Sequence, residues 1–389
     1  MNKPKNIVLI SPFFSPEPIS TGKFNTDMVI KLQDEGHNVT VLCSHPIYPG
    51  WIPQESFENL KGVNIIRGGK RIKYSKNASI RRIILEIWYT LFIIKNINKY
   101  QKNSDTILPV FPPSLAFYCV SFFLKKDIKK IGIVHDLQII YSSQKKGLLN
   151  SLLSNLIKSV EKRSFNKCDK LIFLSKEMQD TACYLYKIDK TKSVVQFPFT
   201  SIKGAEINNN LIDILPEKQH NIVYSGALGE KQNPEEVYQV FDFISKNLSN
   251  SCFYFFSQGA IFDSLKERNR NKKIQFYPLV NKNDIQELYT RSSVQIVPQL
   301  PNTSKGSLPS KLPNILASGT KVLVITDKNS ELEKLFNENN LQKVITTWDK
   351  YIILSSIEKL LEEQIDINKQ KEISQKLFNI NNLIDKIVS

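Results

Sequence analysis

Two α/β domains, each a doubly wound parallel sheet, are the fold class this sequence predicts. Three observations lead there. The runs NIVLI (6–10) and NIVYS (221–225) are unbroken apolar strands followed by a turn and an amphipathic helix, so one strand–turn–helix opening occurs twice. Strands apolar on both faces belong to a sheet covered on both sides, which is a parallel one. The chain of 389 residues is also too long for one core.

After the first run comes a helical pattern ending at Gly36 and a strand at 39–43, a βαβ unit. Further buried strands are expected at 63–66, 106–110, 130–134, 171–174 and 193–197, separated by helical patterns such as 149–166. The second half repeats the scheme at 252–256, 274–277, 294–297 and 321–325, with a short strand at 343–345 and a helical tail over 351–389. The polar, turn-rich stretch TSIKGAEINNNLIDILPEKQ divides them. The expected organisation is an N-terminal domain over 1–199, a linker over 200–219, a C-terminal domain over 220–370, and a C-terminal helix within 371–389 packing back on the first domain.

Composition narrows the function. Hydrophobic residues make up 41% and charged residues 23%, as in a folded globular chain. The net charge of +16 suits phosphates, an anionic membrane or nucleic acid, although part of the excess is compositional, since Lys, Asn and Ile recur throughout. No RRM, KH, helix-turn-helix or zinc pattern is present, which excludes the usual nucleic-acid binders. The five cysteines are scattered without CxxC or metal spacing, implying a reducing compartment and no zinc. The first apolar run is too short for a signal-peptide core, and none reaches the ~18 residues of a spanning helix. The expected location is cytoplasmic, or peripheral to a membrane.

In open α/β sheets ligands bind beyond the carboxyl ends of the strands. Gly22 and Lys23 follow the first strand, where a close backbone approach and a cation at a helix entrance suit an anion or sugar hydroxyls; an ordinary turn would carry the same residues. His135 stands directly after a buried strand, placed to bond a substrate hydroxyl or to titrate near neutrality, or simply to line a cleft edge. In YSGALGEK, Ser225, Gly226, Gly229 and Lys231 form a glycine loop with a following cation, suited to a diphosphate or to a plain strand-to-helix turn. In LPSKLPNILASG, Ser310 reads as an N-cap, Pro313 as a first-turn residue and Gly319 as the helix-ending glycine. Lys311 places a cation at the positive end of that helix dipole, a conflict an anion would remove.

Taken together, SPEPISTGKFNTDMVIKLQDEGHNVTVLCSHPIYPGW, HDLQ, YSGALGEKQ and LPSKLPNILASG, in that order, resemble the GT-B glycosyltransferases of family 4, in particular the branch of colanic-acid fucosyltransferase-type and O-antigen N-acetylfucosamine transferases. The resemblance covers nearly the whole chain. It implies two Rossmann-like domains facing a central cleft, a UDP- or GDP-sugar donor held mainly by the second domain, and transfer with retention and without a metal cofactor. It further implies that Gly22 and Lys23 approach the donor and that His135 contacts the transferred sugar as the catalytic residue. Lys231 and the backbone of 225–229 would hold the diphosphate, and Ser310, Lys311 and Leu312 would present helix-end N–H groups to it. Many members carry a ribose-binding Glu where this chain has Asn314, and a second Glu where it has Gly306. A phosphate-binding Arg is also replaced, by Ala227 or Leu228. The alternatives left beside transfer are a non-hydrolysing nucleotide-sugar epimerase and an inactive membrane-associated scaffold.

Residues 66–100 interleave Lys70, Arg71, Lys73, Lys76, Arg81 and Arg82 with Tyr74, Trp88, Tyr89 and Phe92. Such a segment suits an anionic headgroup surface, or else a solvated loop beside a core helix. Together with the resemblance it implies a polyprenyl-diphosphate-linked acceptor for capsule or O-antigen synthesis at the inner face of the plasma membrane.

Overall fold

The structure is a computed structural model that describes residues 3–48, 50–138, 148–202, 207–303 and 308–389. The chain divides into two compact units, residues 1–197 with 380–389, and residues 198–379.

Unit 1 holds seven parallel strands: β1 (Asn6–Ile10), β2 (Asn38–Ser44), β3 (Val63–Gly68), β4 (Thr106–Phe111), β5 (Lys129–Val134), β6 (Lys170–Phe173) and β7 (Ser193–Val195). They lie in the order β3-β2-β1-β4-β5-β6-β7. The helices are α1 (Ser20–Asp34), α2 (Ala78–Tyr100), α3 (Leu115–Val120), α4 (Leu148–Asn166) and α5 (Lys176–Tyr186). Every strand is parallel to its neighbours, and the register Ile10↔Pro109 between β1 and β4 marks where the strand order reverses. Ile7, Val8, Leu9 and Ile10 are all buried, which is why β1 reads as a continuous apolar run.

Unit 2 repeats the scheme with β8 (His220–Ser225), β9 (Ser251–Phe256), β10 (Ile274–Tyr277), β11 (Val294–Pro298), β12 (Val322–Ile325) and β13 (Lys343–Ile345), in the order β10-β9-β8-β11-β12-β13. Its helices are α6 (Pro234–Asn247), α7 (Ala260–Arg268), α8 (Ile285–Arg291), α9 (Leu312–Ala317), α10 (Glu331–Glu338), α11 (Lys350–Glu362) and α12 (Ile367–Leu377). Pro234 opens α6, where its missing N–H costs nothing. A last helix, α13 (Ile380–Val388), belongs to unit 1.

Two boundary expectations need correction. The stretch 200–219 lies within unit 2 rather than linking two bodies. Leu211 and Leu215 are buried against Val223, Tyr254, Phe256 and Leu288. The buried Glu287 carboxylate takes the N–H groups of Asn210 at 2.9 Å and Leu211 at 3.0 Å, and Arg291 donates to it at 2.8 Å. The polar composition hid this short apolar turn, and His220 starts β8.

The range 371–389 likewise splits. Within unit 2, α12 lies on α9: Gln370 donates to the carbonyls of Leu316 at 3.2 Å and Thr320 at 3.0 Å, and Ser374 donates to that of Pro313 at 3.2 Å. Only α13 returns to unit 1, burying Leu383, Ile384, Ile387 and Val388. Lys170 donates to the Lys386 carbonyl at 2.8 Å and Lys129 to the Ser389 carbonyl at 3.0 Å, cations meeting the negative end of the helix.

Candidate functional site

In unit 1 the loop after β1 is held by Glu17. Its buried carboxylate accepts the N–H groups of Ile47 at 2.8 Å and Tyr48 at 3.0 Å, joining this loop to the one after β2. Burial raises the Glu17 pKa, and the two N–H bonds pull it back. Gly22 is buried on the first turn of α1, where an added Cβ would stand 2.8 Å from the Glu17 carbonyl oxygen. The close approach that demands glycine is therefore the chain's own loop, which sufficiently explains Gly22 without a ligand. Lys23, the next residue, is exposed.

Phe24 sets its ring edge-on to His135, centroids 4.6 Å apart at 85°. The His135 backbone N–H donates to the Phe111 carbonyl at 2.9 Å, continuing the β4–β5 ladder and fixing where the ring stands. The ring is buried, and its Nε2 has no hydrogen-bond partner among the described residues. Burial pushes the imidazole down to about 3. This corrects the expectation of titration near neutrality: desolvation penalises the charged ring and favours the neutral form of His135.

The turn that begins at His135 is anchored three residues on. The Gln138 N–H donates to Glu161 Oε1 at 2.9 Å, and its side chain donates to Glu86 Oε1 at 3.3 Å. Glu161 also accepts the Tyr186 hydroxyl at 2.5 Å, and Glu86 accepts the Leu115 N–H at 3.0 Å and that of Ser114 at 3.4 Å. Burial raises the Glu86 pKa, as expected for a carboxylate held mostly by neutral donors. Sequence reasoning missed Glu17, Glu86 and Glu161. The available signals were an acid between two prolines and a lone acid in the basic 66–100 segment.

In unit 2, Ser225 ends β8 and donates through its hydroxyl to Gln295 at 3.1 Å. Gly226 has φ +115, a conformation that favours glycine, and its N–H donates to the Phe256 carbonyl at 2.9 Å. Gly229, by contrast, is extended at φ −105; its N–H takes the Gln232 side chain as acceptor at 3.0 Å. Lys231 is exposed, and its carbonyl accepts the Leu300 N–H at 2.8 Å.

The segment 308–319 departs from its reading in three respects. Ser310 is not the N-cap: that position is Lys311, which makes no side-chain capping bond. The Leu312 N–H already donates to the Pro309 carbonyl at 3.0 Å, so it is not offered to a diphosphate. Nor does Lys311 await an anion. Its ammonium donates to the Ser225 carbonyl at 2.9 Å and the Ile296 carbonyl at 3.3 Å, and it stands 4.0 Å over the Tyr224 ring. Burial lowers its pKa to about 7, while the carbonyl dipoles and the aromatic face favour the charged form. Gly319 does end α9, at φ +74, where a Cβ would meet the Ile367 side chain at 2.5 Å.

Asn314 is also engaged. Its Oδ1 accepts the N–H groups of Ser201 at 2.8 Å and Ile202 at 3.3 Å, and its Nδ2 donates to the Ser201 hydroxyl at 3.0 Å. The amide binds the start of unit 2 where a ribose was expected. Gly306, the other replaced position, lies outside the described residues.

The structure thus gathers Gly22, Lys23 and His135 about the strand ends of unit 1, and Ser225, Gly226 and Lys311 about the β8/β11 reversal of unit 2. Among the described residues no group of three or more His, Cys, Asp or Glu is placed to hold a metal ion.

Two parallel α/β units with one strand order define a GT-B glycosyltransferase fold. Solved structures share it. WaaG, a glycosyltransferase involved in lipopolysaccharide biosynthesis, matches with a TM-score of 0.72 at 14% identity, over 98% of this chain and 99% of its own. HepE of Anabaena, solved in complex with UDP, matches with a TM-score of 0.66 at 12% identity, over 98% of both chains. Residues 22–198 match the model of Glycosyltransferase Family 4. WcaI of Escherichia coli (strain K12), a candidate colanic acid biosynthesis glycosyl transferase, is 23% identical over 346 residues, 83% of each chain. The chain has the GT-B fold and is a glycosyltransferase whose residues 22–198 match Family 4.

Proposed function

We propose that this enzyme moves a sugar from a UDP- or GDP-sugar to a lipid-linked oligosaccharide in the synthesis of a capsule, exopolysaccharide or O-antigen, with retention and without a metal. The observation that carries the reading is the convergence of Ser225, Gly226 and Lys311 on the β8/β11 reversal, the place in an open α/β sheet where ligands bind. The resemblance to HepE, solved with UDP, supports a nucleotide donor. The resemblance to WcaI and WaaG supports a cell-surface polysaccharide as product.

In this reading the turn 225–229 and the Lys231 ammonium hold the donor diphosphate, the N–H groups of Gly226 and Gly229 being kept for the turn itself. Lys311 acts from behind as the pin that sets that loop against α9. Charge developing on the leaving diphosphate is balanced by the Lys231 cation. The neutral His135 bonds a hydroxyl of the transferred sugar. Its depressed pKa suits a polar anchor rather than a proton carrier near pH 7.

The test is the melting temperature with UDP and with GDP. A rise with one of them that Lys231→Ala largely removes is expected, followed by mass spectrometry of a lipid-linked product from a donor panel. No response to any nucleotide would overturn the reading.

A further inference from the structure

The far edge of unit 2 carries a recess that plays no part in the donor reading. β13 is the last strand of its sheet, and α11 packs over β13 and β11. Residues 343–345 of the strand and one face of the helix enclose about 390 Å³, room for a small organic molecule. On the helix side Ile352, Ser355, Ser356 and Lys359 follow one another at helical spacing, a stripe about 10 Å long.

The polar chemistry of this recess is that of donors. Lys343 enters from β13 and Lys359 from α11, and neither ammonium has a hydrogen-bond or ion-pair partner among the described residues. Lys343 shares a strand face with Ile345, which packs with Ile353 and Ile357 of α11, so the strand cation is on the helix side. The Ile345 carbonyl accepts the Thr326 N–H at 3.0 Å, which turns the backbone of the alternate residue, Val344, away from β12 and outward. No carboxylate is among the lining residues: the acids of α11, Glu358 and Glu362, lie off this face. Each lysine alone has an ordinary use. A Lys on an edge strand discourages pairing with another chain, and a cation in the last turn of α11 meets the negative end of the helix. Neither use requires two unpaired ammoniums to line one recess with no acid between them.

The rest of the lining is apolar and aromatic. Ile352 is 48% exposed and Tyr351 66% exposed. Tyr351 is braced on Phe243, centroids 4.9 Å apart at 76°, and Lys350 stands 4.8 Å over that same Phe243 ring, so this third cation is already engaged. An open aromatic ring is a stacking platform, and two ammoniums match the two charges of a phosphate monoester. We propose that the recess between β13 and α11 binds a phosphate monoester carrying one ring, the phosphate taken by Lys343 and Lys359 and the ring by Tyr351. The site does not rest on the donor reading, since it shares none of its residues.

The test is a ligand-observed NMR titration of the full chain with phenyl phosphate, glucose 6-phosphate and inorganic phosphate. At least one ester should bind about tenfold more tightly than inorganic phosphate, and the preferred ester tells an aromatic ring from a sugar. Lys343→Gln/Lys359→Gln should weaken that ester at least about tenfold, Tyr351→Ala should reduce it to the level of inorganic phosphate, and Lys231→Ala should leave it unchanged. Should the lysine pair fail to fold, Lys359→Gln alone, at an exposed position, should still weaken it about threefold.

Esters that bind no more tightly than inorganic phosphate overturn the proposal, as does binding indifferent to the lysine pair. Binding lost in Lys231→Ala and kept in Lys343→Gln/Lys359→Gln would assign the esters to the donor loop and overturn it too. So would self-association that the lysine pair abolishes with no ester bound, which would give the edge to a second copy. Failure of the response to UDP and GDP, with ester binding intact, would instead overturn the donor reading and leave this site standing.

Discussion

The two units share a strand order yet treat one buried basic side chain in opposite ways: His135 of unit 1 keeps an Nε2 unpartnered among the described residues, and Lys311 of unit 2 is paired. Unit 1 buries His135 Nε2, Asn25 Oδ1 and Ser114 Oγ without hydrogen-bond partners among the described residues. Unit 2 buries Lys311 near the end of its sheet and gives its amino group two carbonyls and an aromatic face. An unpartnered buried polar atom costs about 1–3 kcal/mol, and unit 2 keeps some as well, Thr200 Oγ1 and Ser257 Oγ. A paired buried amino group is already spoken for. In the proposed reading the unpartnered His135 Nε2 is left to meet a substrate, and Lys311 is part of the frame.

The buried network under His135 offers the largest effect. Glu161→Ala leaves the Gln138 N–H and the Tyr186 hydroxyl without their acceptor, and a loss of about 3 kcal/mol of stability is expected in urea unfolding. A loss below about 1 kcal/mol would show that the turn is held by other means.

Next is His135→Ala. With no hydrogen bond of Nε2 to lose, the melting temperature should change little beyond the cavity left behind, while kcat falls about 10²-fold, or ~2.7 kcal/mol. The parent's pH–rate profile should show no histidine step near 6.5, since burial holds this ring at about 3. Unchanged turnover in the variant would return His135 to the role of a core residue.

Asn314 sharpens the contrast from unit 2. Asn314→Ala removes three hydrogen bonds to residues 201–202, and about 1–2 kcal/mol of stability should go with them. Nucleotide-dependent stabilisation should persist. Its loss at unchanged intrinsic stability would make the amide a ligand after all.

The smallest effect concerns Lys311. Its folded pKa of about 7 lies below the ordinary 10.5, so between those values the unfolded chain holds a proton that the folded chain releases. This contribution to stability therefore rises with pH across that window and is fully lost below 7. Relative to Lys311→Met, the parent should gain about 1 kcal/mol from pH 7 to pH 8, read from chemical unfolding at both values. A difference independent of pH would mean that the carbonyls and the Tyr224 ring restore the ordinary ammonium.

The sequence by itself determined the alternation of strands and helices, the repeat of that alternation, and the motifs after β1, β5 and β8. Period and apolar runs are local properties, and parallel strands buried on both faces display them without interruption. The basic and aromatic residues of 66–100 were equally plain in the sequence, but not that Tyr89 is buried and that Trp88 and Phe92 pack on the core. Partnership was decided only by the tertiary structure. Lys311 meets Ser225 across 86 residues and Asn314 meets Ser201 across 113. Read locally, both were groups awaiting a ligand. Leu211 and Leu215 likewise looked like part of a linker until the fold supplied Tyr254 and Phe256 to cover them. The physical reason is the same in each case: a side chain shows what it can bond, and the cost of burying it unpaired makes the fold supply a partner that may come from anywhere in the chain.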